Sequence, residues 1–535
     1  MKDWLARRVL LAVLLFCAST AFFITGTAAP KSLGDLTGPW QLCLDDYLIQ
    51  EKSGVVRRYH PFEKHASNPV LKPDQPWEGE VAYLFGSVLP NESRTGYRMW
   101  YHTHRGYRNL YATSKDGVHW VKPELGIVEF NGSRANNIFI ERPKESHLPI
   151  IIHTPWETDP NRGYKLIYYD YGRTDAKHPV SGFYGAYSPD GIHWSKELPE
   201  PILPDPGDVG NFVWDPNRSR YIGYAKIFAA VRGFRRRSIG FTSTSDFEHW
   251  PPTELVLTPD EVDDRWVESD RQHTDFYGLA AFPYESMYLG FLWVFRITEG
   301  TNDGPIHLEL VSSRDGIRWK RQEGDRPPML ALGSAGRWDG GMLHTATQPL
   351  VSGDTINLFY GASDQTHSSS IAGGWGNCAI GLATLRKDGF ASLDAGAEIA
   401  TITTRPIDSL QGRLYLNADA RNGWIKVEIL DDAGKVVPGF GLDECQPLKE
   451  DGVKQGVSWG RLQDLPPAKA PRRVRFQLQN ASLYAFRADQ PVSLATAPEP
   501  LKILLDFEDD GDSPIADKAV ADGRQKTRLY HSARV

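Results

Sequence analysis

SRDGIRW, Ser313 to Trp319, is a turn that the chain writes several times. SKDGVHW (Ser114 to Trp120) and SPDGIHW (Ser188 to Trp194) repeat it. SDFEHW (Ser245 to Trp250) is a shortened copy, and RKDGF (Arg386 to Phe390) keeps only the centre. In such a turn Asp accepts local backbone hydrogen bonds and Gly tolerates positive φ, so the following Trp can cover the edge of the sheet it opens. The segments around each copy are rich in β-branched and aromatic residues and bounded by Gly, Pro, Asn and Asp, which marks strands. Copies recur at about sixty to seventy residues, and one supersecondary unit reused at that period implies a radial array of small sheets.

Each unit parses as four strands. In the first they are Val81 to Leu89, Tyr97 to His102, Asn109 to Ser114, and a fourth from His119. The predicted fold is all-β: a five-bladed β-propeller over residues 40–400, a small β-sandwich over 401–489, and a polar tail, 490–535, expected to be disordered. Asp159-Pro160-Asn161-Arg162 and Asp215-Pro216-Asn217-Arg218 both fall between strands one and two. That repetition makes Asp215 a turn residue, although Trp214-Asp215-Pro216 looks like a catalytic motif.

Residues 1–29 read as a secretory signal. Lys2, Arg7 and Arg8 precede an apolar run from Val9 to Ile24, and small residues Gly26-Thr27-Ala28-Ala29 follow. A retained anchor is the competing reading. The expected location is secreted or periplasmic, with no membrane association after cleavage. The 535 residues carry a formal net charge of −7, which gives no electrostatic basis for nucleic-acid binding. The run Arg235-Arg236-Arg237 reads as solvated surface. Beyond the signal, Cys43, Cys378 and Cys445 allow at most one disulfide and no metal spacing. No cofactor and no metal are expected, and oligomeric state is left open.

Strand alternation then locates the chemistry. The start of strand one shares a face with the loop joining strands two and three. Those loops are long and polar in several units: 102–108, 170–181, 229–237, 297–305 and 363–377. Long loops on one face of a rigid scaffold are where binding and catalysis usually sit. The inner strands begin on that face with Glu78 and Glu80, His147, Asp208, Asp275 and Asp339. Acids converging on one channel mouth are costly unless solvated, paired or used.

The five units, the mouth acids and the entry phrase Asn68-Pro69-Val70-Leu71-Lys72-Pro73 resemble the five-bladed β-propeller glycoside hydrolases, families 32 and 43 and, more weakly, family 130 through Trp338-Asp339-Gly340-Gly341. The family 32 Asn-Asp-Pro-Asn box is missing, so the resemblance is to the clan. It implies a secreted glycoside hydrolase acting on terminal bonds of an oligo- or polysaccharide. The open alternatives are a carbohydrate-binding propeller without catalysis and a glycosyl phosphorylase. Glycosidic cleavage needs one protonated carboxylic acid and one carboxylate nucleophile or base. Asp275, opening the apolar strand Asp-Phe-Tyr-Gly, is assigned as the acid. Glu80 is assigned as nucleophile or base with Glu78 as substitute, and Asp208 as the third carboxylate. Trp77, His102, His147, Arg271, His273, Arg296 and Asp339 are the expected sugar contacts.

Overall fold

The computed structural model describes residues 33–489 and 493–494, apart from 104–107, 142–145, 173–179, 195, 205, 299–301, 370–375 and 409. The signal, 1–29, and nearly all of the tail lie outside the described residues. Among those described, no helix is long and apolar enough to cross a membrane.

The repeating unit is clearest in its third copy. Gly210–Asp215, Arg220–Val231, Phe234–Thr244 and Glu254–Leu257 pair in sequence order, each antiparallel to the last. The first copy is built on Val88–Pro90, Tyr97–His102 and Arg108–Ser114, with Trp120–Val121 and Ile138–Glu141 outside them. The second uses Ser146–His153, Tyr164–Asp170 and Gly182–Ser188, and Lys196–Glu197 and Leu203–Pro204 both add to the last strand. The fourth (His273–Tyr284, Met287–Ile297, Ile306–Ser313, Trp319–Arg321) and the fifth (Met342–Thr345 and Leu350–Ser352, Thr355–Ser363, Cys378–Arg386) join into one sheet through a parallel bridge from Ile306 to Met342. The fold is all-β and of propeller type.

The repeated turns do the local work expected of them. Asp116 accepts from the backbone N–H of Val118 and His119, Asp190 from Ile192 and His193, and Asp315 from Ile317 and Arg318. Asp215 is also a turn residue: it accepts from Asn217 N at 3.0 Å and from the Tyr288 hydroxyl at 2.6 Å. Between the sheets, Phe85, Phe183, Phe212, Phe282 and Phe291 are buried in one cluster. Each such ring contributes roughly 1.5–3 kcal/mol by leaving water.

The outer edge of the fifth unit is completed from the N-terminal side. Glu63–Lys64 pairs with Thr384 and Ala383, and Leu71 bridges Ile380.

One expected loop is not a loop. Residues 229–237 continue two strands as a hairpin, turning at Arg232 and Gly233 with φ of 46° and 76°. Positive φ at both central residues is the type I′ geometry that matches strand twist. The arginines are therefore not a uniformly solvated run. Arg235 lies over the ring of Phe228, Arg236 is buried against Asp264, and Arg237 turns to Asp275.

The C-terminal part is built on two larger sheets, with a small pair formed by Ile407–Asp408 and Ser493–Leu494 beside them. One joins Asp451–Gly456, Gly412–Asp419, Ala481–Ala488, Ala391–Ala395 and Val55–Tyr59 in that order. The other joins Ile49–Ser53, Ala400–Thr404, Arg473–Gln479 and Trp424–Leu430. Leu416, Ile402, Ile425, Phe476 and Phe486 share one core between them. Segments within 41–59 and 391–404 pair in these sheets. The N-terminal strands supply pairing partners that the C-terminal strands alone do not. Cys43, Cys378 and Cys445 are buried, and none is in a disulfide among the described residues.

Candidate functional site

Strand alternation in the third unit explains the heart of the site. The run Ile222 to Phe228 is apolar except for Lys226, which the pleat points inward toward Asp208, two residues before the neighbouring strand Gly210–Asp215. Lys226 N donates to Val209 O at 2.8 Å, which fixes the strand end. Its ammonium pairs with Asp208 Oδ1, and the Tyr171 hydroxyl donates to Asp208 Oδ2 at 2.6 Å. Burial lowers the Lys226 pKa. Asp208 and, more weakly, Asp275 pull it back up, while Arg237 pushes it down.

Asp275 is the third residue of the fourth unit's inner strand and is about 1% exposed. Arg237 Nη1 donates to its Oδ2 at 2.5 Å, and His273 Nε2 lies 3.4 Å from its Oδ1. His273 stacks on Phe234 of the hairpin at 4.4 Å. Arg237 also bonds Asn302 and lies 5.9 Å from the centre of the Tyr277 ring; Lys226 lies 5.1 Å from the same ring.

Further inward the site changes character. His367 bridges Asn302 O and the Tyr277 hydroxyl, both at 3.1 Å, and burial pushes its pKa down to about 4. Tyr277 meets His344 edge-on at 5.4 Å, and His344 bonds the Tyr83 hydroxyl. Burial holds His344 well below the ordinary histidine value. Phe85 and Trp293 close over these rings.

Three expected residues meet here: Asp208, Asp275 and His273. The others fare differently. Glu80 is exposed in the turn before Val81, and no hydrogen bond or ion pair among the described residues involves it. Glu78 is buried and committed: it accepts from Tyr101 and from Asp74 and Gln75 N, and pairs with Lys122. That uses up the carboxylate and removes it as substitute. Trp77 donates to Asn137 at 2.7 Å and packs on Phe130 inside the first unit. Asp339 is buried against Lys64, 2.5 Å away. Arg296 faces out over Trp266, because the pleat sends its neighbour Phe295 inward. Arg271 is exposed. His102 is fully buried against Tyr83 and Phe85, with Nδ1 at 2.8 Å from Thr103 O. His147 pairs with Tyr169 in the second unit, and its side chain lies outside the described residues. The role of protonated acid for Asp275 was argued from apolar surroundings, and Arg237 replaces them with a cation.

Lys226, Arg237, Tyr277, His344 and His367 were not among the expected site residues. A lone Lys inside an apolar strand was a usable signal, since such a charge needs a partner. The arginine needed the hairpin register. Among the described residues no group of His, Cys, Asp and Glu is placed to hold a metal ion.

No protein-family model matches the sequence, and no curated protein matches it. In structure the chain is similar to a putative glycoside hydrolase from Bacteroides ovatus, at 14% identity over 61% of this chain and 97% of that one, TM-score 0.39. It is similar to a thermostable family-43 glycoside hydrolase at 12% identity over 61% and 95%, TM-score 0.39. A structure from the GH130 family of mannoside phosphorylases, described as containing hydrolases of β-1,2 mannosidic linkages in Candida mannan, gives 14% identity over 62% and 94%, TM-score 0.40.

Proposed function

We propose that this chain is a secreted or periplasmic glycoside hydrolase that cleaves terminal bonds of an oligo- or polysaccharide. The five strand units are its propeller blades and the two C-terminal sheets its β-sandwich. The observation that carries the reading is one buried ammonium, Lys226, acted on by two carboxylates from different units, Asp208 and Asp275. Two acids and their cations at one pole can grip sugar hydroxyls through charge-assisted hydrogen bonds.

The roles differ from those read in the sequence. Asp275, ion-paired with Arg237, serves as the charged nucleophile or base. Asp208, held by Lys226 and Tyr171, orients hydroxyls. Glu80, read in the sequence as a mouth acid, lies in the exposed turn before Val81 and has no cation beside it among the described residues. It is the group left to carry the proton to the leaving oxygen. One observation favours a binding propeller without catalysis: both Asp208 and Asp275 are already neutralised by cations.

The test is turnover of aryl glycosides and oligosaccharides, with and without phosphate, by wild type, Asp275→Asn, Asp208→Asn and Glu80→Gln. Loss of an acid or base group costs roughly 10²–10⁴-fold in rate. Turnover untouched by all three changes refutes the site. Turnover that requires phosphate makes the chain a phosphorylase, and sugar binding without turnover makes it a binding module.

A further inference from the structure

The long hairpin of the third unit carries a cation that neither mouth acid neutralises. Side chains alternate along a strand, and residues opposite each other across an antiparallel ladder share a face. The register sets Phe228 opposite Arg237 and Ala230 opposite Arg235, so Lys226, Phe228, Ala230, Arg235 and Arg237 lie on one face. That face is turned to the mouth, because Lys226 meets Asp208 on it and Arg237 meets Asp275. Arg235 stands two residues beyond Arg237 toward the hairpin tip, about 7 Å further out along the strand.

The face therefore holds three cations and meets two acids. No hydrogen bond or ion pair among the described residues involves Arg235. Its guanidinium lies over Phe228, 3.8 Å from the ring centre, and that of Arg237 lies 5.8 Å from the same centre. Phe228 is 39% exposed, so the stack is at the surface and not in the core. Burial lowers the Arg235 pKa, and the charge of Arg237 lowers it further. Other acids of the region are committed elsewhere. Asp264 is taken by Arg232 and Arg236, and Asp303 accepts from Gly304, Ser368 and Ser369 N–H. Arg237 also keeps a buried Nε–H with no acceptor among the described residues. A merely solvated arginine needs neither a ring beneath it nor a like charge beside it. Stacking fixes the plane of the guanidinium and leaves its edge open, the arrangement suited to two-point bonding of a planar carboxylate or of sulfate oxygens.

We infer that the glycan taken at this mouth is anionic, with a carboxylate or a sulfate ester held by Arg235 at the rim, outward of the Asp208–Asp275 pair. The inference names the substrate class of the site described under the proposed function and rests on that reading for the site's place. The whole chain carries a formal net charge of −7, so affinity for a polyanion has to come from a local patch such as this one.

Affinity electrophoresis of the full chain tests it with polymer pairs that differ only in charge: polygalacturonate against its methyl-esterified form, and carrageenan against desulfated carrageenan. The expected result is retardation by at least one acidic polymer and little by its neutral twin, weakened by added salt. Retardation by polygalacturonate identifies a carboxylate ligand, and retardation by carrageenan a sulfate ester. Arg235→Gln should need about tenfold more polymer for the same retardation, the loss of one charge-assisted pair. Arg235→Lys should recover only part, since it restores the charge without the fork. Equal retardation by the charged and neutral twins overturns the inference, as does no retardation by either acidic polymer, or an Arg235→Gln protein retarded like wild type. Acidic polymer bound without turnover of any glycoside supports the inference and refutes the hydrolase reading. Turnover of neutral aryl glycosides without binding of acidic polymer does the reverse. The wild-type comparison of twins stands even if a variant folds poorly.

Discussion

Glu285→Gln should make this protein more stable at pH 8 and change little at pH 5. Glu285 sits in the hairpin turn between Tyr284 and Met287, about 5% exposed. Its carboxylate accepts from Trp40 N at 3.2 Å, and its own N–H donates to Leu36 O at 2.8 Å. Burial, and second the charge of Asp388, push its pKa from 4.5 up to about 8. Burial raises Asp388 too, where the Tyr284 hydroxyl donates at 2.8 Å. Below pH 4.5 the folded and unfolded chains both hold the proton and stability is at its fullest. Above it the unfolded chain releases the proton and the folded chain keeps it, so stability falls steadily and the full loss is reached as the pH rises through about 8. At 1.36 kcal/mol per unit the loss by pH 7 is about 3 kcal/mol. Gln keeps the size and the acceptor for Trp40 and removes the titration. Melting midpoints of both proteins between pH 5 and 9 should therefore diverge, by several degrees at pH 8, on the order of 5 °C. Parallel curves, or a variant that melts lower at pH 8, would refute the reasoning.

Three further outcomes are expected. Arg237→Met leaves Asp275 buried without its cation and should cost about 3 kcal/mol, largely recovered in the Arg237→Met/Asp275→Asn double variant; a cycle showing no coupling would count against the ion pair as the organiser of the mouth. Asp116→Ala removes the acceptor for Val118 and His119 N–H and should cost about 1 kcal/mol in urea titration with turnover unchanged, which separates turn acids from mouth acids. Burial pushes the thiols of Cys43 and Cys378 up to about 12, so both should react with a disulfide reagent only after denaturation, and prompt labelling of native protein would contradict their packing.

The repeating turns were legible because their chemistry is local. An Asp that accepts from the two N–H groups beyond it, and a Gly two bonds away from strain, act within a few residues, and sequence reports such things directly. Asp208 and Asp275 were legible for a related reason: each precedes or opens an inner strand, and strand direction alone assigns its face. What could not be read was pairing across units. Arg237 reaches Asp275 only because residues 229–237 extend as strands to a two-residue turn, and a single-residue change of register would have pointed Arg236 there instead. His344 and Tyr83 come from the fifth and first units and meet only when the sheets have assembled. Glu78 shows the converse. Its position marked it as a mouth acid, yet the nearby Tyr101 and Lys122 capture it, and nothing in the local sequence announces that capture.

The pairing of Glu63–Lys64 with Ala383 and Thr384 has a consequence for synthesis. The strand that finishes the fifth unit leaves the ribosome some three hundred residues before its partner is made. Until Cys378–Arg386 emerges, a nascent chain with four finished units keeps that early segment waiting and the last backbone edge unmet. Translation halted before residue 378 should thus yield an open, protease-sensitive polypeptide, and release of the final stretch should latch beginning to end in a single late event.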